Sequence, residues 1–127
     1  MNIRIQSYQG VRVLSPVGRI DHFNSEEFRR LLFPHVEHCK ADGECLVIDL
    51  EEVDYISSAG LRCFMMADKQ ANAQGGHIVV AAMQPVVKEI FEISRFTLVF
   101  ESFTTVREAI AGLSPAVLAE FDRRQAP

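Results

Sequence analysis

The chain has no tryptophan and only three cysteines in 127 residues. An odd number of cysteines with no paired spacing reads as reduced thiols, not as a disulfide framework. No apolar run approaches the length of a membrane span. Met1 to Gln6 alternates polar and apolar residues and lacks the apolar core of a signal peptide, so the expected location is the cytoplasm. Positive charge is in short supply. The 13 Lys and Arg against 17 Asp and Glu leave a net charge of -4, which gives nucleic-acid binding no electrostatic support. Internal repeats, low-complexity tracts and a GxGxxG pattern are all missing. Gly75-Gly76 is not followed by the Lys and Ser or Thr of a phosphate loop.

What is present fits one soluble globular domain with one core. Hydrophobic residues make up 48% and charged residues 24% of the chain. Ile3 and Ile5 alternate with Arg4 and Gln6, a half-buried strand. A turn at Gln9-Gly10 leads to a second strand from Val11 to Val17, and so short a link predicts an antiparallel hairpin. Gly18 breaks the pattern. Asn24 and Glu27 have capping-box spacing, with Ser25 as the alternative cap. Phe28, Leu31, Leu32 and Val36 then mark one helical face, interrupted by a candidate kink at Pro34 and ended by Asp42-Gly43.

Cys45 to Leu50 is apolar enough to be a central strand covered on both faces. A helix over Leu61 to Gln74 follows, stopped by Gly75-Gly76. His77 to Ala82 is the next strand. Pro85 opens a short helix through Ile93 with Val87, Ile90 and Phe91 on one face. Leu98 to Phe100 reads as a brief strand. Thr104 or Thr105 caps a last helix to about Ala111, ended by Gly112. The order predicts an α/β fold: a mixed β-sheet with an N-terminal antiparallel hairpin, then parallel strands, and about four helices packed on it. The domain is expected over residues 1–112. Residues 113–127 form an extension, with Pro115, Val117, Leu118 and Phe121 fitting a short docked helix and a frayed tail fitting as well.

The stretch Val53-Asp54-Tyr55-Ile56-Ser57-Ser58-Ala59-Gly60-Leu61 carries the strongest functional signal. Small residues there allow a tight strand-to-helix turn, and a serine can cap the free N–H groups of the helix. The same N–H groups suit a phosphate. Past the turn, Cys63, Phe64, Ala67 and Ala71 share a face that can meet the sheet. Met65 and Met66 point toward the side of Arg62 and Lys69. Two readings fit the methionines: a docking surface beside an exposed serine, or a face covered by a neighbouring helix.

Catalytic chemistry finds little. Ser58 has no general base near it in sequence and no nucleophile-elbow glycine pattern around it. His35, His38 and Cys39 stand at spacings of three and four but lack a second cluster, and a solvated helix end explains them. Asp49 lies in an apolar strand, yet the acidic pair and late-strand lysine of a phospho-aspartate receiver are missing. No metal or cofactor is implied.

The chain resembles the STAS-domain family of anti-sigma factor antagonists. Ile48-Asp49-Leu50, Val53-Asp54-Tyr55-Ile56 and Ser57-Ser58-Ala59-Gly60-Leu61 carry the core of the likeness. Gly18-Arg19-Ile20-Asp21, Gly75-Gly76 and Pro85-Val86-Val87-Lys88 with Phe91 and Ile93 extend it from about Ile3 to Ala111. The resemblance implies partner switching without enzymatic activity. In the family, the unphosphorylated antagonist binds an ATP-using anti-sigma factor that is also a serine kinase, which frees a sigma factor. Phosphorylation of the turn serine, here Ser58, dissolves the complex, and a metal-dependent serine phosphatase resets it. The implied partner surface is Asp21, Ser57, Ser58, Ala59, Gly60, Leu61, Arg62, Met65 and Met66, on a monomer or weak dimer. Ser57 stands where many members have Asp, and Arg62 where many have Gly. Some relatives with this fold act instead as unphosphorylated scaffold subunits of transport or stress-sensing assemblies. A small hydrolase using Ser58 is a remote third reading.

Overall fold

The longest strand, β2 (Val11–Ile20), organises the sheet. The computed structural model describes residues 1–126. Strand β1 (Asn2–Tyr8) pairs antiparallel with β2. The first half of β2 runs parallel to β3 (Cys45–Asp49), and its second half runs parallel to β4 (Val53–Ile56). Gly18, at φ +94, forms a bulge between the halves and donates its N–H to Glu52 O at 2.8 Å. The strand therefore continues past the glycine that the sequence pattern takes as its end. A left-handed residue bends the strand without stopping it. With β5 (Ile78–Ala81) and β6 (Glu101–Phe103), the order is β1-β2-β3-β5-β6, with β4 also beside β2.

Strand alternation splits the apolar residues between two faces. Leu14, Ile48 and Val80 pack under α1 (Ser25–Val36), α2 (Ser58–Ala73) and α3 (Pro85–Ile93). Phe64 centres that layer, its ring 5.5 Å from Phe28, 6.0 Å from Phe91 and 6.2 Å from Phe100. Val13, Val47 and Val79 face the other way, toward α4 (Val106–Leu113) and α5 (Pro115–Gln125).

Four local expectations change. Val53–Ile56 is a strand, hidden because only its two ends are buried and no alternation shows. Leu98 to Phe100 is not a strand. Phe96–Leu98 forms a short 3-10 helix after Arg95, which sits at φ 62, and β6 begins at Glu101. Phe96 and Phe100, four apart, take the core positions, so the apolar run serves a helical turn. The capping box at α1 does not close. The Asn24 side chain turns back to Asp21 N and Arg19 O, and Glu27 pairs with the N-terminal amine. Pro34 stays inside α1, which ends at Val36, well before Asp42-Gly43.

The His35, His38 and Cys39 group does not converge. His35 Nδ1 meets Arg12 at 2.8 Å, His38 is exposed, and the buried Cys39 thiol donates to His77 O at 3.3 Å. Burial first, then the Arg12 charge, pushes the His35 pKa down.

Helix α5 is docked on the domain. Ser114 caps it, Val117 is buried, and Leu118 and Phe121 pack on the Tyr8 side of the sheet. Asp122 takes a forked contact from Arg107, both bonds at 3.1 Å. Arg124 stacks over the Tyr8 ring at 4.4 Å and donates to Ser7 O at 2.9 Å. Burying Val117 alone is worth about 1.5–3 kcal/mol. Truncation before Ser114 should therefore lower unfolding free energy in urea by at least about 2 kcal/mol. An unchanged urea midpoint would place residues 114–127 outside the cooperative unit.

Candidate functional site

The site forms where β2 and β4 end side by side. Ser57 N–H donates to Ile20 O at 2.8 Å, joining the two strand ends. Ser57 is extended and caps α2: its Oγ accepts the Gly60 N–H at 3.3 Å, and its carbonyl accepts Leu61 N–H at 2.8 Å. Ser58 is thus the first helical residue. It is exposed, and its Oγ has no hydrogen-bond partner among the described residues. The first turn of α2 contains no acidic residue, so the helix end keeps its full attraction for an anion.

Gly60 is buried. A Cβ there would stand 2.8 Å from Ile20 Cγ2, 2.9 Å from Ile56 Cγ2 and 3.0 Å from Ile20 O. The glycine admits the helix start to the strand ends, and its place in the site is spacing, not a contact surface. Ala59 and Leu61 are half-buried beside it.

Asp21 arrives through Ile20. Its carboxylate accepts N–H bonds from Phe23 at 3.0 Å and Asn24 at 3.3 Å, and Arg19 Nε at 3.1 Å. Burial pushes this carboxyl up, but the bonds from Arg19, Phe23 and Asn24 and the Arg19 charge outweigh it and hold its pKa below the usual value. Arg19 also lies over the Tyr55 ring, 4.7 Å from its centroid. Asp21 is therefore the staple of a turn, its charge largely engaged.

Along α2, Cys63, Phe64, Ala67 and Ala71 face the core as their spacing predicts. Arg62 is exposed on the outer side, and Met65 and Met66 are 38% and 41% exposed. Among the described residues no neighbouring helix covers the two methionines. Sequence reasoning missed Phe23, which is 86% exposed beside His22. The available signal was an aromatic residue inside the polar turn Asp21-His22-Phe23-Asn24.

A recess of about 500 Å³ opens on the α4/α5 face of the sheet, lined by Arg4, Ser15, Asp49, Glu51, Phe121 and Gln125. Its buried carboxylate is occupied. Asp49 accepts from Ser15 Oγ at 2.9 Å and from Glu51 N–H at 3.1 Å. That arrangement engages the carboxylate at the β3 end, on the sheet face opposite the helix that bears Ser58. Among the described residues no helix is long and apolar enough to cross a membrane.

The sequence profile of the STAS domain family matches residues 2–109. BtrV of Bordetella bronchiseptica, which carries the name of an anti-sigma factor antagonist, is 31% identical over 117 residues, covering 92% of this chain and 98% of BtrV. The anti-sigma F factor antagonist of Paenibacillus polymyxa is 23% identical over 94 residues, covering 74% of this chain and 79% of that protein. The fold is also similar to the Bacillus cell fate determinant SpoIIAA in its phosphorylated form. There the TM-score is 0.66 at 16% identity, over 89% of this chain and all of that one.

The packing at Gly60 sets a test. Alanine gains about 1 kcal/mol of helix propensity over glycine, but overpacking costs about 1–3 kcal/mol. One of the close contacts is a backbone oxygen that cannot rotate away. Gly60→Ala should therefore be less stable in chemical denaturation, by up to about 2 kcal/mol net. A more stable variant would show that the helix start is free to shift.

Proposed function

The chain belongs to the STAS domain family, and from that premise we propose that it is an anti-sigma factor antagonist switched by phosphate on Ser58. One observation carries the choice of residue. Ser57 is engaged as the cap, whereas Ser58 presents an unengaged hydroxyl to solvent at the start of α2. The names of the two relatives support the antagonist role. SpoIIAA, which shares the fold, exists in a phosphorylated form, and this supports a phosphate switch.

The unphosphorylated protein binds an ATP-binding anti-sigma factor that is also a serine kinase. In the complex Ser58 Oγ attacks the terminal phosphorus of ATP. The new Oγ–P bond forms as the bond to ADP breaks, and the hydroxyl proton passes to a base on the kinase. A serine phosphatase reverses the modification with water, releasing inorganic phosphate. The antagonist needs no catalytic group of its own.

Phosphate brings about -1.5 to -2 charges at neutral pH. At an exposed helix N-terminus this is locally favourable by about 0.3–1 kcal/mol. Asp21 opposes it weakly, because Arg19 and two amides already hold that carboxylate. The fold persists, and release comes from charge and bulk placed within the docking surface of Arg62, Met65 and Met66.

With ATP and the cognate kinase, peptide mass spectrometry should find phosphate on Ser58 and none in Ser58→Ala. Ser57→Ala should still be labelled, though about 1 kcal/mol less stable for want of its cap. Phosphate mainly on Ser57 would sink the assignment. Arg62 follows Ser58 by four residues, the spacing of helix neighbours. Its cation should favour the phosphate dianion, so phosphorus NMR of Arg62→Ala should show a raised phosphate pKa. An unchanged value would make Arg62 a bystander to the phosphate.

A further inference from the structure

Phe23 is the most exposed of the large apolar side chains among the described residues, at 86%. Its ring touches His22, centroids 4.0 Å apart, and His22 is itself exposed. The backbone beneath is nevertheless held from every side. Asp21 accepts the amides of Phe23 and Asn24. The Asn24 side chain accepts Asp21 N–H and donates to Arg19 O, both at 2.8 Å. Arg19 closes on Asp21 and lies over Tyr55.

Both ends of this turn are fastened to α2. Ile20 O accepts from Ser57 N–H at 2.8 Å, and Ser25 O accepts from the Cys63 thiol at 3.5 Å. The turn therefore runs along the first two turns of the helix that bears Ser58 and Arg62. The network stiffens these four residues yet leaves the phenyl ring of Phe23 in water. A rigid aromatic on a preformed turn loses little freedom on binding and gains its burial there, which is the physics of an interface anchor.

Resting on the antagonist reading above, we propose that Phe23 is the anchor by which this protein engages its anti-sigma factor/kinase. The ring enters an apolar pocket of that partner, next to the surface that presents Ser58. Arg62, which has no ion-pair partner among the described residues, calls for an acidic group at the rim of that pocket. The anchor sets affinity and partner choice, and the phosphate beside it sets release.

The test titrates the kinase that labels Ser58, without ATP, against wild type, Phe23→Ala, Phe23→Leu and Leu98→Ala. Leu98 is 80% exposed, has no such fastening to α2, and serves as the control. Phe23→Ala should bind about 30-fold or more weakly, the scale of a hot-spot residue. Phe23→Leu should keep most of the affinity, and Leu98→Ala should match wild type. The melting temperature of Phe23→Ala should stay close to that of wild type, because the ring is 86% exposed in the free protein and meets the exposed His22 ring. Equal binding by Phe23→Ala and wild type overturns the anchor while the antagonist reading stands. A wild type that the kinase labels on neither serine and does not bind overturns both. Self-association that Phe23→Ala abolishes would assign the ring to a second copy and overturn the proposal.

Discussion

The close approach of α2 to the ends of β2 and β4 is the constraint on which the site depends. It rests on one missing side chain. A Cβ on Gly60 would stand only 3.0 Å from Ile20 O, and closer still to the Ile20 and Ile56 side chains. With that approach, Ser57 N–H reaches Ile20 O, β4 is drawn beside the second half of β2, and the turn after Ile20 is fastened along the helix. A helix displaced outward would break these ties together, since they share the same few residues.

The bulge at Gly18 serves the same end. It divides β2 so that one strand pairs with β3 in its first half and with β4 in its second. A regular strand would carry both pairings in one plane. The bent one turns its last residues, Arg19 and Ile20, toward the helix start. Arg19 then covers Tyr55 of the neighbouring strand and holds Asp21, so one guanidinium joins β4 to the turn. On the opposite face, α4 and α5 cover Val13, Val47 and Val79, which frees the α1–α3 side of the molecule from any part in holding the extension.

The two serines divide the work at the helix start. A cap must accept an N–H, and Asp and Ser both do so well. Ser57, which on the family resemblance stands where many members have Asp, keeps the structural role as the cap. It also removes a negative charge next to Ser58. On the proposed reading, that eases the electrostatic cost of adding phosphate, while Arg62 supplies a cation one turn on. Asp21, read from the resemblance as part of the partner surface, works first as the support of the Phe23 turn.

Local pattern was enough for much of this protein. Alternation in β1 and β2, the unbroken apolar runs of β3 and β5, the helical spacing of Phe64, Ala67 and Ala71, and the compact Ser57 to Leu61 turn are properties of neighbouring residues. Alternating and helical segments were legible because side chains repeat at the period of the element, and the unbroken runs because a central strand is covered on both faces. The same periodicity failed at β4, too short and too exposed in its middle to show it, and at Phe96 to Phe100, where an apolar run fills a helical turn. Only the tertiary structure decided which serine caps and which is free, why residue 60 must lack a side chain, and that Phe23 stays in water on a stiff turn. Each of those follows from a meeting between segments some forty residues apart, Ile20 with Ser57 and Gly60 and Ser25 with Cys63, and no local period encodes such a meeting.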